Sequence, residues 1–272
     1  MRFLRRQSLF YLTILIFSLL FRPVSGQIID DMKDDFTHFR DMSGEIGENI
    51  IKPDRHDINI FLLGSAATLM TMLIDDPVRD LVQKNQNSFL DGVFKIDDYY
   101  GSRKYTPLAV VALYGSGLIL GNTQMREMGL HSIEAFTYTA IITAAIKESF
   151  GRSRPHRGDG PGHYKPFAFD ESRRSLPSGH TSLTFAISTV MAYEIDHPLW
   201  KTGWYGAAVL VSMARVYHDQ HWASDILLGA LIGHAVGRFV SHKSDEWESD
   251  TTQFYPAPTS SGWQFYFSIP LR

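Results

Sequence analysis

The chain has 272 residues, a formal net charge of −3 and no cysteine. Its hydrophobic fraction of 44% allows one domain with a sizeable core plus extensions. The absence of cysteine excludes disulfides and thiolate chemistry, and the mildly acidic charge gives no support for nucleic-acid binding.

The N-terminal residues 1–26 have the pattern of a secretory signal. Arg2, Arg5 and Arg6 precede an apolar stretch, and small residues favour cleavage after Gly26. Cleavage would remove four arginines and no acids, which leaves a formal charge of −7. A retained membrane anchor is the alternative. We therefore predict export, with the mature chain periplasmic and either soluble or associated with the inner membrane.

The remaining chain divides into three parts. Residues 27–56 are polar and of mixed charge, which predicts a partly helical arm. Residues 57–243 contain apolar segments in series, with helical spacing at positions such as Leu183 and Ile187. They predict an all-α domain, a bundle of about six core helices. Residues 244–272 are acidic and then aromatic, and we expect a small C-terminal extension with a possible hairpin.

The apolar segments leave the membrane question open. A span needs about 20 mostly apolar residues, and these segments are shorter and carry charges such as Glu134 and Arg238. Helices that are apolar all round also form the buried helices of soluble bundles, so a soluble domain is favoured. A domain with about six short spans is the alternative.

The stretch Pro177-Ser178-Gly179-His180 predicts a helix start with an anion site. Pro177 disfavours helix before it, and Ser178 is a suitable N-cap. Gly179 lets the backbone approach a ligand closely. The first turn of a helix offers free N–H groups and a positive dipole end, which together bind anions.

Two further stretches carry matching chemistry. Lys147 lies seven residues before Arg154, and Arg215 precedes His221 and Asp225. His221 and Asp225 are four apart, so on a helix they share one face and the carboxylate can hold the imidazole. Three cations and a helix N-terminus suit the equatorial oxygens of a phosphoryl group.

The two imidazoles complete a phosphoryl-transfer site. His221, held by the carboxylate, is the predicted nucleophile, and His180 is the predicted general acid for the leaving oxygen. Because fixed cations supply the electrostatic stabilisation, no metal or other cofactor is expected.

Together these stretches resemble the three-part signature of the type 2 phosphatidic acid phosphatase superfamily. This superfamily includes bacterial class A acid phosphatases, lipid phosphatases and vanadium-dependent haloperoxidases. The resemblance spans residues 130–240, with one departure: Ala214 stands where the family usually has a serine that contacts phosphate or its neighbours. That departure affects the expected substrate preference rather than the reaction.

The resemblance implies a metal-independent acid phosphatase that hydrolyses phosphomonoesters through a phosphohistidine. Its substrate would be a phosphorylated lipid or a small soluble ester, with possible membrane contact. The alternatives are a vanadate-dependent haloperoxidase and a non-catalytic module that binds phosphate or lipid. The predicted catalytic residues are His221, His180 and Asp225, and the predicted phosphate-binding residues are Lys147, Arg154, Ser178, Gly179 and Arg215.

Other residues near these stretches carry weaker expectations. The glycine- and proline-rich stretch 156–176 is a candidate rim of the site. Arg152, Arg173 and Arg174 would either steer anions towards it or be merely solvated. Asp219 is an alternative carboxylate partner for a histidine.

Overall fold

A computed structural model describes residues 2–53, 55–250, 253–259 and 262–268, with side-chain environments for 26–53, 55, 57–245 and 247. The α-helices are α1 (Arg2–Ile51), α2 (Arg55–Met72), α3 (Asp75–Lys84), α4 (Ser88–Val93), α5 (Tyr105–Leu120), α6 (Thr123–Phe150), α7 (Gly179–Glu194), α8 (Pro198–Tyr217) and α9 (Ala223–Asp250). Short 3-10 turns lie at Phe94–Asp98, Pro155–Arg157 and Glu171–Arg173. The all-α prediction is confirmed for the bundle.

Helix α7 is the centre of the bundle and packs against α6, α8 and α9. One buried apolar cluster joins α6, α7 and α9 to α1, through Met42, Ala135, Val190 and Val240. The predicted arm at 27–56 is thus helical as far as Ile51 and packs on the bundle.

Glycines let α9 lie unusually close to α7. A Cβ added at Gly233 would lie 2.1 Å from the carbonyl oxygen of Ser182, and one at Gly237 would lie 2.5 Å from that of Ala186. Small residues at helical spacing allow this backbone approach. The contact fixes the start of α9 beside the start of α7.

The C-terminal residues form two antiparallel strands, β1 (Gln253–Thr259) and β2 (Gly262–Ser268). In their register Phe254 pairs with Phe267. At the other end of the chain, the backbone of α1 is continuous through Gly26. The side chains of residues 1–25 lie outside the described residues, so the signal sequence stays a prediction.

Large apolar side chains are exposed on several helices. Phe61 and Leu63 on α2 are 71% and 72% exposed, and Ile119 and Leu120 on α5 are each 70% exposed. By length and composition, residues 223–245 of α9 are long and apolar enough to cross a membrane, and α2 with α3 would form a second, bent candidate. One or two such helices do not by themselves separate a membrane protein from a soluble bundle.

Candidate active site

The first predicted stretch lies at the end of α6 and in the loop after it. Gly151 ends the helix with a φ of 60°, and a Cβ at this position would lie 1.8 Å from the carbonyl oxygen of Lys165. Lys147 is buried in the last turns of the helix, and its Nζ donates to the carbonyl of Pro177 at 2.5 Å. The first stretch is therefore joined directly to the second.

Lys147 keeps a donor for a ligand. Its Nζ also donates to the carbonyl oxygen of Arg174 at 2.7 Å. An ammonium group has three N–H donors, so these two bonds leave one available. The two carbonyls fix the position of the charge at the start of α7.

The two predicted arginines have the same arrangement. Arg154 donates from Nη1 to Gln220 Oε1 at 2.6 Å, and Arg215 donates from Nη1 to Asp97 Oδ2 at 2.7 Å. Arg154 Nη2 also contacts Glu171 Oε2 at 3.4 Å. The Nε atoms of both arginines are buried and have no partner among the described residues. A buried donor without an acceptor is destabilising, so each guanidinium is positioned by its other nitrogens and still has a donor for an anion.

The start of α7 corrects one prediction. Ser178 is the N-cap, and its Oγ accepts from the amide of Thr181 at 3.5 Å. Its own amide, however, donates to the carbonyl oxygen of Asp225 at 3.0 Å, so that N–H is not free to bind phosphate. The amides of Gly179 and His180 remain, because the first N–H groups of a helix have no intrahelical acceptor. The Ser178 bond also joins the second stretch to the third.

His221 lies in the turn between α8 and α9 and is only 2% exposed. Its Nδ1 lies 3.6 Å from Asp225 Oδ2, longer than a hydrogen bond, and has no other partner in the part of the chain that the structure describes. Burial lowers the pKa of His221 well below its usual range, and the charges of Lys147, Arg154 and Arg215 lower it further. The imidazole is therefore neutral, as a nitrogen nucleophile must be.

His180 lies in the first turn of α7 and is half-buried. Burial and the charges of Arg215, Arg103 and Lys147 together lower the pKa of His180 to about 3. The two histidines thus share one cationic environment. Its positive charge favours a bound anion.

Asp225 is held by more partners than the sequence predicts. It is fully buried and accepts from Ser175 Oγ at 2.5 Å, from the amide of Trp222 at 2.9 Å and from Arg152 Nη1 at 2.6 Å. Only the ion-pair distance of 3.6 Å relates it to His221. Asp225 therefore fixes the turn that carries His221, as well as lying beside the ring.

The environment that the sequence predicts for Arg152 is wrong. The side chain is fully buried rather than solvated, and it bridges Asp225 and Asp75 with contacts of 2.6 and 2.7 Å. Its Nη1 also donates to Ser224 Oγ at 2.8 Å. With both acids paired to it, Arg152 has no charge left to steer anions. The position of Asp75 in a separate helix explains why no local spacing reveals the pair.

Neighbouring residues have structural contacts. The carboxylate of Asp219 pairs with Arg79 through two contacts of 2.6 and 2.7 Å, and among the described residues only its backbone oxygen contacts a histidine, His156. Ala214, at the position of the family's serine, is buried in an apolar cluster with Phe94 and Tyr217. An apolar side chain at this position fits that packing.

Comparison with known proteins identifies the class. The sequence model of the PAP2 superfamily matches residues 129–248, which contain the three converging stretches. Residues 129–248 thus match the PAP2 superfamily. The predicted resemblance is therefore confirmed.

Individual relatives extend the match beyond that unit. Over 257 residues the chain is 28% identical to a lipid A 1-phosphatase of Porphyromonas gingivalis, covering 92% of this chain and 54% of that protein. It is 29% identical over 156 residues to an undecaprenyl-diphosphatase of Sulfolobus acidocaldarius, covering 56% of this chain and 70% of that protein. The chain thus spans about half the length of the Porphyromonas relative.

A solved structure shares the fold. The crystal structure of a transmembrane PAP2-type phosphatidylglycerolphosphate phosphatase from Bacillus subtilis superposes with a TM-score of 0.57 at 19% identity. The match covers 70% of this chain and 96% of that one. At this identity the likeness concerns the helical architecture alone.

Proposed function

We propose that the chain is a phosphatase that removes a phosphate group from a phosphorylated lipid. The observation that carries this proposal is the pair of buried guanidinium Nε donors of Arg154 and Arg215, which lack acceptors in the described part of the chain. Both arginines act on the ring of His221 and lower its pKa. A tetrahedral oxyanion supplies the missing acceptors and balances the charge. Lys147 and the amides of Gly179 and His180 complete the predicted phosphate contacts.

The proposed reaction has two steps. The negative charge of the bound phosphate raises the pKa of His180, which takes up a proton from solvent. His221 then attacks phosphorus through Nε2, the ester P–O bond breaks, and His180 gives that proton to the leaving oxygen. Water then attacks the phosphohistidine, the N–P bond breaks, and the proton of the water passes to His180. Inorganic phosphate leaves, and both rings return to their starting states. The three cations stabilise the charge on the equatorial oxygens in both steps.

A lipid substrate is supported by the surface and by the relatives. Exposed side chains such as Phe61 and Leu63, which lie on different sides of α2, give this helix an apolar surface of the kind that contacts membranes or partners. The relatives above are named for lipid A, undecaprenyl diphosphate and phosphatidylglycerolphosphate. We propose that the apolar surface lies in the bilayer, which favours the membrane alternative over the soluble one.

The decisive variant is His221→Ala. It should reduce phosphate release from a phosphorylated lipid by at least about 10³-fold, because the predicted nucleophile is lost. A matched control is His242→Ala, which removes an exposed imidazole from α9 and should retain full turnover. The measurement is phosphate release from lipid A 1-phosphate, undecaprenyl diphosphate and phosphatidylglycerolphosphate in mixed micelles.

Trapping the intermediate separates a covalent from a direct mechanism. Rapid quenching with ³²P-labelled substrate should label wild-type protein through an acid-labile bond, and His221→Ala should carry no label. Near-full turnover by His221→Ala would refute the proposal. Phosphate binding by the wild type without turnover would instead support the non-catalytic alternative.

A further inference from the structure

A second polar cluster lies at the opposite end of α6 from Lys147. It contains His38 on α1 and His131 and Glu134 on α6, with one potential ligand atom from each residue, all within 4.8 Å of one another. His131 and Lys147 are sixteen residues apart on α6, or about 24 Å at the rise of an α-helix. The cluster is therefore separate from the candidate active site.

The hydrogen bonds around His38 leave two acceptors facing each other. Ser244 Oγ donates to the carbonyl oxygen of Val240 at 2.9 Å, so it accepts from His38 Nε2, which lies 3.3 Å away. Nε2 of a neutral His38 then carries the hydrogen, and Nδ1 has a lone pair. That lone pair faces Glu134 Oε1 at 2.9 Å. A cation, either a proton or a metal ion, must lie between these two atoms.

A single proton cannot provide a partner for both carboxylate oxygens of Glu134. Its side chain is fully buried, and Oε2 has no partner within the described side chains although Oε1 is in contact with His38. Burying an incompletely paired carboxylate is strongly unfavourable, because the charge loses its hydration without full compensation. A proton between His38 and Oε1 leaves Oε2 unpaired. A metal ion can take both oxygens or one oxygen and a water.

His131 is held as metal-bound histidines are held. Its Nδ1 contacts Glu194 Oε1 on α7 at 2.7 Å, which leaves Nε2 as the nitrogen available for a ligand bond. Such a carboxylate fixes the ring orientation and raises the basicity of the ligating nitrogen. When an ion is bound, both imidazoles are neutral ligands, and one divalent cation then balances the two carboxylates.

From this geometry we propose that His38, His131 and Glu134 bind one divalent transition-metal ion of the zinc class, with Glu194 positioning His131. Two imidazoles and a carboxylate are a usual zinc ligand set, leaving one position for water or the second carboxylate oxygen. Because its ligands come from α1 and α6, the ion joins the N-terminal helix to the bundle. The proposal is independent of the phosphatase reaction.

The test uses the full-length, tag-free protein, stripped with a chelator and titrated with Zn²⁺ and with Co²⁺. We expect one equivalent bound per chain, and visible d–d absorption from the cobalt form. Zinc at a hundredfold excess over Kd should raise Tm by about 5–10 °C. Binding of less than one equivalent, or no shift in Tm, would refute the site and leave a protonated His38–Glu134 ion pair.

Variants show whether these side chains are the ligands. Glu134→Gln preserves the side-chain volume and should weaken zinc binding at least tenfold, as should His38→Ala on the separate helix α1. Glu194→Gln should weaken binding about 10–100-fold as a positioning change. His197→Ala removes an exposed histidine and should bind zinc as the wild type does. Unchanged binding in Glu134→Gln and His38→Ala, or equal loss in His197→Ala, would overturn the assignment.

If Glu134→Gln does not fold, His38→Ala decides the question, because His38 is only partly buried. Folding is checked by helical circular dichroism before each titration. None of these readouts depends on turnover at the candidate active site.

Discussion

The charge state of a single imidazole sets the chemistry proposed for the active site. His221 is buried among Lys147, Arg154 and Arg215, and both effects lower its pKa. The nucleophile is active when deprotonated, so its active form persists down to its lowered pKa. Below that pKa the ring gains a proton and loses nucleophilicity.

The lowered pKa of His221 gives a prediction for the pH dependence of phosphate release. As the pH falls, protonation of His221 should reduce kcat/KM. This decrease should occur well below pH 6.5, the usual histidine pKa. The ¹⁵N resonances of His221 should report a neutral ring throughout the interval between pH 5 and 7, about the range in which free histidine titrates. A His221 titration near pH 6.5 in the folded protein would contradict the cationic environment described above.

At the scale of the helices, Arg152 joins two elements that no local spacing connects. It is fully buried between Asp75 at the start of α3 and Asp225 at the start of α9. Buried ion pairs contribute little net stability when formed, but removing one partner leaves uncompensated charge. The site therefore depends on α3, although α3 supplies none of the predicted phosphate contacts.

Replacing this arginine tests that dependence. Arg152→Met should destabilise the fold by about 3–5 kcal/mol, because Asp75 and Asp225 lose their shared cation. Arg157→Met is the control: its pairs with Asp159 and Asp170 are at the surface, and its loss should change stability by less than about 1 kcal/mol. Thermal unfolding of both variants is the measurement. Equal Tm values would show that the buried pair is not important for stability.

The close contact between α7 and α9 gives a second prediction at this scale. Gly233→Ala puts a Cβ 2.1 Å from the backbone oxygen of Ser182, so the helices must separate. We expect a loss of about 1–3 kcal/mol, as for other overpacked interiors, and lower phosphate release because α7 and α9 carry the two histidine segments.

A matched glycine in the neighbouring helix controls for helix propensity. Gly206→Ala lies on α8, where an added Cβ meets nothing within 4 Å. It should be neutral or stabilising by up to about 1 kcal/mol, because alanine favours helix. If both alanine variants behaved alike in thermal unfolding and in turnover, the close approach would have no energetic role.

At the scale of the whole molecule, the exposed apolar side chains favour contact with a membrane. Phe61 and Leu63 on α2 are more than two-thirds exposed, and exposing large apolar side chains on several sides of one helix is unfavourable in water. Lipid removes that cost. We therefore expect the purified chain to associate with phospholipid vesicles.

Charge placed on this surface should oppose the association. The double variant Phe61→Asp and Leu63→Asp should release a large part of the protein from vesicles in a flotation assay, because a carboxylate is poorly tolerated in hydrocarbon. Thr202→Asp adds a carboxylate at an exposed polar position on α8 and should float as the wild type does. Flotation of the double variant together with the wild type would place this surface outside the bilayer.

The sequence by itself determined the helical class and the residues that meet at the site. Helical periodicity persists along the chain. In each of the three motif stretches the functional residues are close together in sequence, at the end of a helix or in a single turn. Lys147, Arg154, Arg215, His180 and His221 could therefore be named before their positions were known. Their catalytic roles remain predictions for the variants above.

Only the tertiary structure decided which polar groups have partners. In the folded chain the amide of Ser178 donates to the carbonyl oxygen of Asp225, and Arg152 is buried between Asp75 and Asp225. It also brings His38 to His131 and Glu134 from a separate helix. These contacts join residues far apart in the chain, where periodicity carries no information. They form because a buried polar group is stable only with a partner, and packing can bring that partner from any distance along the sequence.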